Sequence, residues 1–300
     1  MTLRDDIPII VKGSINAYSN WLYVLYKFAR VNLNYPSDGD LSKIQIKVKS
    51  RKLGTINVPI NVAIINAMLK YENKYGKTAI FDNKNEIGFE YKGNNITLKL
   101  HKILERGIYE NFVYEQYWYL ANFLATEKEN TVVDIGAGIG DSPIYFTMNG
   151  AKKVIAIESD KERCDLLKDN VKANGFEGKI IPVYGGYNNI SLKKIGEIVK
   201  NETGDERYFL KMDCEGCEYN LLKENRKDLA KIKHFQIEFH YGYESLEKFM
   251  SDNGFDIHYF TYDRMGVFGH DRFKFYIPHK KEKKRDGTVM DVGMLSGSSK

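Results

Sequence analysis

The stretch Thr131–Gly140, TVVDIGAGIG, decides how the rest of the chain is read. Val132 and Val133 are β-branched and apolar, as a buried strand requires. Asp134 follows, then Gly136, Gly138 and Gly140 at alternate positions, and Asp141-Ser142-Pro143 opens a helical pattern. A buried strand that runs through a glycine turn into a helix N-terminus presents backbone N–H groups to a ligand. Glycine serves there because a Cβ would obstruct both close approach and positive φ.

Beyond this stretch, strand and helix alternate. Strands are expected at Thr131–Ile135, Lys153–Glu158, Lys179–Tyr184, Tyr208–Asp213 and His234–Phe239. Helices are expected over Ser142–Asn149, to about Ala173 after a Ser159/Glu162 capping box, and over Leu192–Lys200, Glu218–Leu222 and Glu244–Asp252. Phe255–Thr261 and Phe273–Ile277 read as a closing antiparallel pair. Such alternation predicts an α/β fold: a doubly wound, mostly parallel, seven-stranded Rossmann-like sheet.

The preceding residues read as a small α+β region. Residues 13–31 have near-helical apolar spacing. Ser42–Ser50 alternates Ile44, Ile46 and Val48 with Lys43, Lys47 and Lys49, a half-exposed strand. Asn61–Tyr75 looks helical, and Ile87–Tyr91 and Ile96–Leu100 form a hairpin about Gly93-Asn94-Asn95. Asn111–Leu124 reads as one aromatic helix, with Tyr114 or Tyr117 able to close over a ligand at the glycines. The expected division is therefore 1–110 as an accessory region, 111–278 as the catalytic domain and 279–300 as a basic, flexible tail.

Composition sets outer bounds. Hydrophobic content of 43% and charged content of 28% over 300 residues describe a globular chain, and the net charge of +5 is mild. Three cysteines, an odd number, argue against a secreted disulfide framework and for a reducing compartment. Cys214 and Cys217 form a C-x-x-C for which no second Cys or His pair supports zinc, so they read as small packing residues ahead of a redox or zinc role. No signal peptide is evident, and no apolar run approaches the roughly 18–20 residues of a membrane span. A cytoplasmic location is expected. The aromatic face of residues 13–31 leaves peripheral membrane contact open, and nothing specifies an oligomeric state.

Three features give the ligand. Glu158 ends the second strand 18 residues after Gly140, where a carboxylate accepts both hydroxyls of a ribose. Asp213 ends the fourth strand, across the crevice from the first. The glycines run G-x-G-x-G instead of G-x-G-x-x-G, and Asp134 and Asp141 flank them. Those acids repel a pyrophosphate and suit a cationic nucleoside, S-adenosylmethionine.

At these motifs the chain resembles the FkbM-type S-adenosylmethionine-dependent methyltransferases. The resemblance covers roughly residues 112–277 and rests on VVDIGAGIGDS (Val132–Ser142), VIAIES (Val154–Ser159), LKMDCEGCEYNLL (Leu210–Leu222) and IEFH (Ile237–His240). It departs at Gly138, where Asn is common. It implies that Asp134, Gly136, Ala137, Gly138, Gly140 and Asp141 line the methionine end, that Glu158 and Ser159 hold the ribose, that Gly185 lies on the adenine side, and that Asp213 faces the sulfonium.

It also implies O-methylation of a sugar, glycan or other small molecule. A hydroxyl acceptor needs a base, and the candidates are Lys211, Asp213, Glu238 and His240, with His240 preferred and Glu238 orienting it. Lys211 otherwise neutralises the acids around it. A divalent metal on Asp213, Glu215 and Glu238 is left open; no metal residues are assigned. Nucleic acid is not expected as partner, because D-C-E-G-C-E (Asp213–Glu218) would repel phosphate. Two alternatives stand beside this reading. One is an RNA or other nucleic-acid methyltransferase, suggested by the basic tail and lysine-rich strand; the other is a non-catalytic binding module.

Overall fold

The computed structural model describes residues 3–34, 40–51, 53–71, 78–127, 130–259, 279–283 and 289–300. Two units emerge: Met1–Gln116 together with Asp165–Gly175, and Tyr117–Cys164 together with Phe176–Lys300. The expected boundary near residue 110 thus falls at 116, and a helical segment from within the sheet domain belongs to the first unit.

In the first unit the helical pattern of residues 13–31 is broken into α1 (Leu3–Ala17) and α2 (Trp21–Asn34). The interruption has a hydrogen-bonding cause. Ser19 N–H donates to the Lys49 carbonyl at 2.9 Å, and the Asn20 amide exchanges bonds with Lys47 O and Lys49 N–H, so residues 18–20 occupy an edge of β1 (Gln45–Ser50). The other edge of β1 pairs with β2 (Gly54–Pro59). Next, α3 (Ile60–Lys70) is buried from Ile60 to Leu69, where the sequence suggested one apolar side. Then β3 (Thr78–Ile80), β4 (Glu86–Tyr91) and β5 (Asn94–Lys99) form an antiparallel sheet, followed by α4 (Gly107–Phe112). The free edge of β5 is closed by two asparagines. Asn170 and Asn174 each accept from and donate to the backbone of Lys99 and Thr97, at 2.7–3.0 Å. Buried backbone groups need partners, and these amides imitate a neighbouring strand.

The second unit opens with α5 (Trp118–Thr126), so the expected helix over 111–124 is two helices. Glu115, at φ 53°, sits in the break. Thereafter β6 (Thr131–Ile135), α6 (Asp141–Met148), β7 (Lys153–Glu158), α7 (Lys161–Ala173), β8 (Ile180–Tyr184), α8 (Leu192–Thr203), β9 (Tyr208–Met212), α9 (Arg226–Leu229), β10 (Ile232–Phe239), α10 (Glu244–Asp252), β11 (Phe255–Tyr259), β12 (His279–Lys283) and β13 (Val289–Ser299) follow. The strand order is β11-β13-β10-β9-β6-β7-β8, with β12 paired to β13 off this path. The strands from β10 to β8 are parallel, and β13 enters antiparallel between β10 and β11. The order reverses between β6 and β9, which opens the crevice there.

Residues 289–299 are therefore not a flexible tail. Leu295 and Ser296 are fully buried, and at Gly297 a Cβ would lie 2.5 Å from the Asp256 carbonyl and 2.7 Å from the Phe235 ring. The Gly- and Ser-rich composition that suggests a tail is what lets this strand fit between two others. The strand expected at Phe273–Ile277 lies outside the described residues. The acidic start of α7 also differs from expectation: Asp160, not Ser159, caps it, accepting from Arg163 N–H at 2.9 Å.

Candidate active site

The glycine turn is pressed against the end of β9. Asp213 N–H donates to Ile135 O at 3.0 Å, and a Cβ on Gly136, at φ 80°, would stand 1.8 Å from the Asp213 carbonyl oxygen. Only glycine fits there. Gly136 and Ala137 N–H both donate to Ile157 O, and Gly138 N–H donates to Glu158 Oε2 at 2.8 Å. The second Glu158 oxygen accepts from Asp160 N–H at 2.7 Å. Each carboxylate oxygen has lone pairs to spare, so Glu158 holds the turn and still has acceptors for a ribose.

A cleft of about 400 Å³ lies at this point of the sheet. Of the expected residues it is lined by Gly136, Glu158, Ser159, Gly185 and Asp213. Glu215, read from the sequence only as a candidate metal ligand, lines it as well, together with Asp160, Arg163 and Cys214, which were not expected to. Ala137, Gly138, Gly140, Asp134, Asp141, Lys211, Glu238 and His240 are not among the lining residues. Gly138 acts through its bond to Glu158, and Gly140, at φ 98°, turns the chain into α6.

Asp134 lies behind the turn instead of lining the cleft, and Lys211 takes the second role expected of it, neutralising the acids around it. Their side chains are buried and paired at 2.8 Å, Ser142 Oγ–H donates to the second Asp134 oxygen at 2.6 Å, and Lys211 donates to Gly136 O at 2.8 Å. Burial works against the Lys211 charge, but the carboxylates of Asp134, Asp213 and Asp141 outweigh it and raise its pKa. A lysine so held cannot act as a base, and it braces the glycine turn from beneath. Asp141, buried at the start of α6, has its pKa pushed up by desolvation to about 6.

An acidic cluster surrounds His240, just past β10. Its Nδ1 lies 2.9 Å from Glu218 Oε1, and its Nε2 lies 3.9 Å from Asp213 and 3.8 Å from Glu215. Burial opposes protonation, yet the Glu218 bond and the Glu238 and Asp213 charges together push its pKa to about 9. The imidazole is then a cation at neutral pH and not the free base expected of it. Glu238 is half-buried on β10 and acts on this site through its charge. Among the described residues there is no group of three or more His, Cys, Asp or Glu that could hold a metal ion.

Two further features lie at the end of β9, one anticipated and one misread. Tyr117, buried at the start of α5, donates its hydroxyl to Asp213 at 3.2 Å. It was one of two tyrosines expected at the ligand, and the break after Glu115 brings it there. Cys214 and Cys217 form a disulfide across the turn after β9, instead of merely packing. Their spacing was the available signal.

The strand order, the antiparallel β13 and the cleft at the β6/β9 reversal define the Rossmann-like fold of class I methyltransferases. The TRM5/TYW2 methyltransferase domain matches residues 121–215, from α5 to the turn after β9. The matched residues thus carry a domain of the S-adenosylmethionine-dependent methyltransferase class; the match does not extend to the FkbM type. Uncharacterized protein 158B of Sulfolobus islandicus rod-shaped virus 1 is 34% identical over 113 residues, 38% of this chain and 62% of that one. The tRNA (guanine(37)-N(1))-methyltransferase Trm5b of Methanocaldococcus jannaschii is 31% identical over 131 residues, 38% of each. The chain thus spans less than two thirds of either relative. A solved structure of aTrm5 with tRNALeu has a TM-score of 0.44 and 15% identity, covering 74% of this chain and 55% of that one. The sequence similarity to a tRNA-directed protein contradicts the expectation of a glycan or small-molecule partner with nucleic acid not expected, and favours the RNA alternative set beside it. No helix among the described residues is long and apolar enough to cross a membrane.

Proposed function

We propose that this protein is an S-adenosylmethionine-dependent methyltransferase whose acceptor is RNA. The observation that carries the cofactor is the cleft's donor set: Glu158, Asp160, Asp213 and Glu215 against the single guanidinium of Arg163. That excess of carboxylate suits a ligand with a sulfonium and an ammonium and disfavours a pyrophosphate. The RNA acceptor is supported by the similarity over residues 121–215 and by the tRNA-directed relative.

When bound, the cofactor supplies an electrophilic methyl group. Glu158 accepts the ribose hydroxyls, and the Gly136 turn lets the backbone approach the methionine end. Asp213, its carboxylate oriented by Tyr117, takes the proton that the acceptor loses. His240, kept protonated by Glu218, faces Asp213 and Glu215 and offsets their charge. Tyr241, half-exposed, lies over Gly216 and offers a ring on which an extruded base stacks. The acids that argued against RNA thus face the cofactor and the reacting proton and need not meet a phosphate.

Calorimetry with S-adenosylmethionine, and transfer of labelled methyl to total RNA, test this. Glu158→Ala is expected to weaken cofactor binding by about tenfold or more, from the lost hydrogen bonds. Absence of binding by the intact protein refutes the cofactor; label appearing in glycans and not in RNA refutes the acceptor.

A further inference from the structure

The positive charge of this chain is segregated. Residues 7–71 hold nine Lys or Arg (Lys12, Lys27, Arg30, Lys43, Lys47, Lys49, Arg51, Lys52 and Lys70) against two acids, Asp38 and Asp40. That excess of seven exceeds the +5 of the whole chain, so the remainder is net acidic. From Leu41 to Tyr71 there is no acidic residue at all.

The fold gathers part of this charge on one pair of elements. On β1, Ile46 and Val48 point into the core, while Gln45, Lys47 and Lys49 are exposed. Ser19 and Asn20 run along the edge of the same strand, bonded to Lys47 and Lys49, and α2 starts at the next residue. Along α2, Val24 and Phe28 are buried, while Leu22, Tyr23, Tyr26 and Arg30 are exposed, Tyr26 by 57%. Lys27 Nζ sits 5.5 Å from the Tyr23 ring, and Arg30 donates to the Tyr26 hydroxyl at 3.4 Å. Bases interleaved with exposed aromatic rings are the chemistry of a nucleic-acid strand: cations for phosphates and rings on which bases stack.

We infer that the β1–α2 surface of the first unit, with Lys47, Lys49, Arg30, Tyr23 and Tyr26, is an RNA-docking surface. The inference rests on the RNA acceptor proposed above. A membrane is the competing occupant, since Leu22 and the tyrosines also suit a lipid interface. RNA is favoured because lysines alternate along an extended strand at a spacing of two residues, about 6.6 Å, close to the phosphate repeat of an extended single strand.

The test uses the full chain and a labelled 20-nucleotide single-stranded RNA. Lys47→Gln/Lys49→Gln/Arg30→Gln is expected to weaken binding at least tenfold and to flatten the slope of log K against log salt by about two, at roughly 0.7 per lost phosphate contact. Tyr26→Ala is expected to cost about tenfold with the slope unchanged. Lys47→Arg/Lys49→Arg should retain binding, as should Lys193→Gln/Lys194→Gln on α8, whose lysines are also exposed. Unchanged S-adenosylmethionine affinity shows that each variant is folded. Wild-type binding that the triple variant and Tyr26→Ala leave intact overturns the surface alone. No RNA binding and no methyl transfer to RNA by the wild type overturns the RNA reading and this one with it. Loss of binding to phosphatidylserine vesicles in the same variants, with RNA affinity intact, assigns the surface to a membrane and overturns the inference.

Discussion

Glu218 Oε1 accepts both the ring Nδ1–H of His240, at 2.9 Å, and its backbone N–H, at 3.0 Å. The other Glu218 oxygen accepts from Gly216 N–H at 2.9 Å. One buried carboxylate thereby fixes a charged ring and the turn opposite it.

The first prediction follows from that pair. His240 has a folded pKa near 9 against an ordinary 6.5. A raised histidine pKa stabilises fully below pH 6.5, and that stabilisation disappears as pH rises through 9. It amounts to at most ~3 kcal/mol. In NMR the His240 ring should titrate near 9. His240→Gln should flatten the fall in Tm between pH 6.5 and 9. A midpoint near 6.5 would return His240 to the role of base.

Gly136→Ala should be strongly damaging. The added Cβ would lie 1.8 Å from a backbone oxygen at a positive φ, so β9 and the turn must separate. The expected loss is ~3 kcal/mol or more, together with cofactor binding. Thermal melting and calorimetry check this; a variant that melts and binds as the wild type does would mean the turn is not seated as described.

The buried Lys211–Asp134 pair should behave asymmetrically. Lys211→Met leaves Asp134 buried without its cation and should cost ~3–5 kcal/mol in urea unfolding. The double variant Lys211→Met/Asp134→Leu should recover part of that loss. Additive costs would deny the pairing.

Asp141 gives a second loss of stability with rising pH, in a lower window, but here it is the charged form that destabilises. Its folded pKa, about 6, lies above the ordinary 3.8, so the fold binds the proton more tightly than the unfolded chain. Its ionisation begins to destabilise above pH 3.8, and the penalty is complete above pH 6. Asp141→Asn should therefore raise Tm at pH 7.5 and leave it nearly unchanged at pH 4. Equal shifts at both values would exclude the desolvated carboxyl as the cause.

The βα alternation was legible because each strand from 131 to 239 is a short, mostly apolar run bounded by turn and helix signals, and Thr131–Ile135 and Lys153–Glu158 fall where expected. Glu158, Asp213 and Gly136 were legible for the same reason, since strand ends locate a cleft. What was illegible depends on partners distant in sequence. Asn20 breaks a helix because β1, 25 residues later, has an edge to fill. Ser296 and Gly297 read as tail because their small size matters only beside Phe235. The proton on His240 depends on Glu218, which periodicity cannot place against it.

The disulfide between Cys214 and Cys217 has a practical use. Both cysteines line the cleft, and the third cysteine, Cys164, is buried. Reduction exposes two thiols at the ligand's doorstep and none elsewhere, so the chain carries its own occupancy reporter. The rate at which iodoacetamide alkylates the reduced protein, followed by intact mass, will slow as the cleft fills, and any candidate ligand can be ranked without a label.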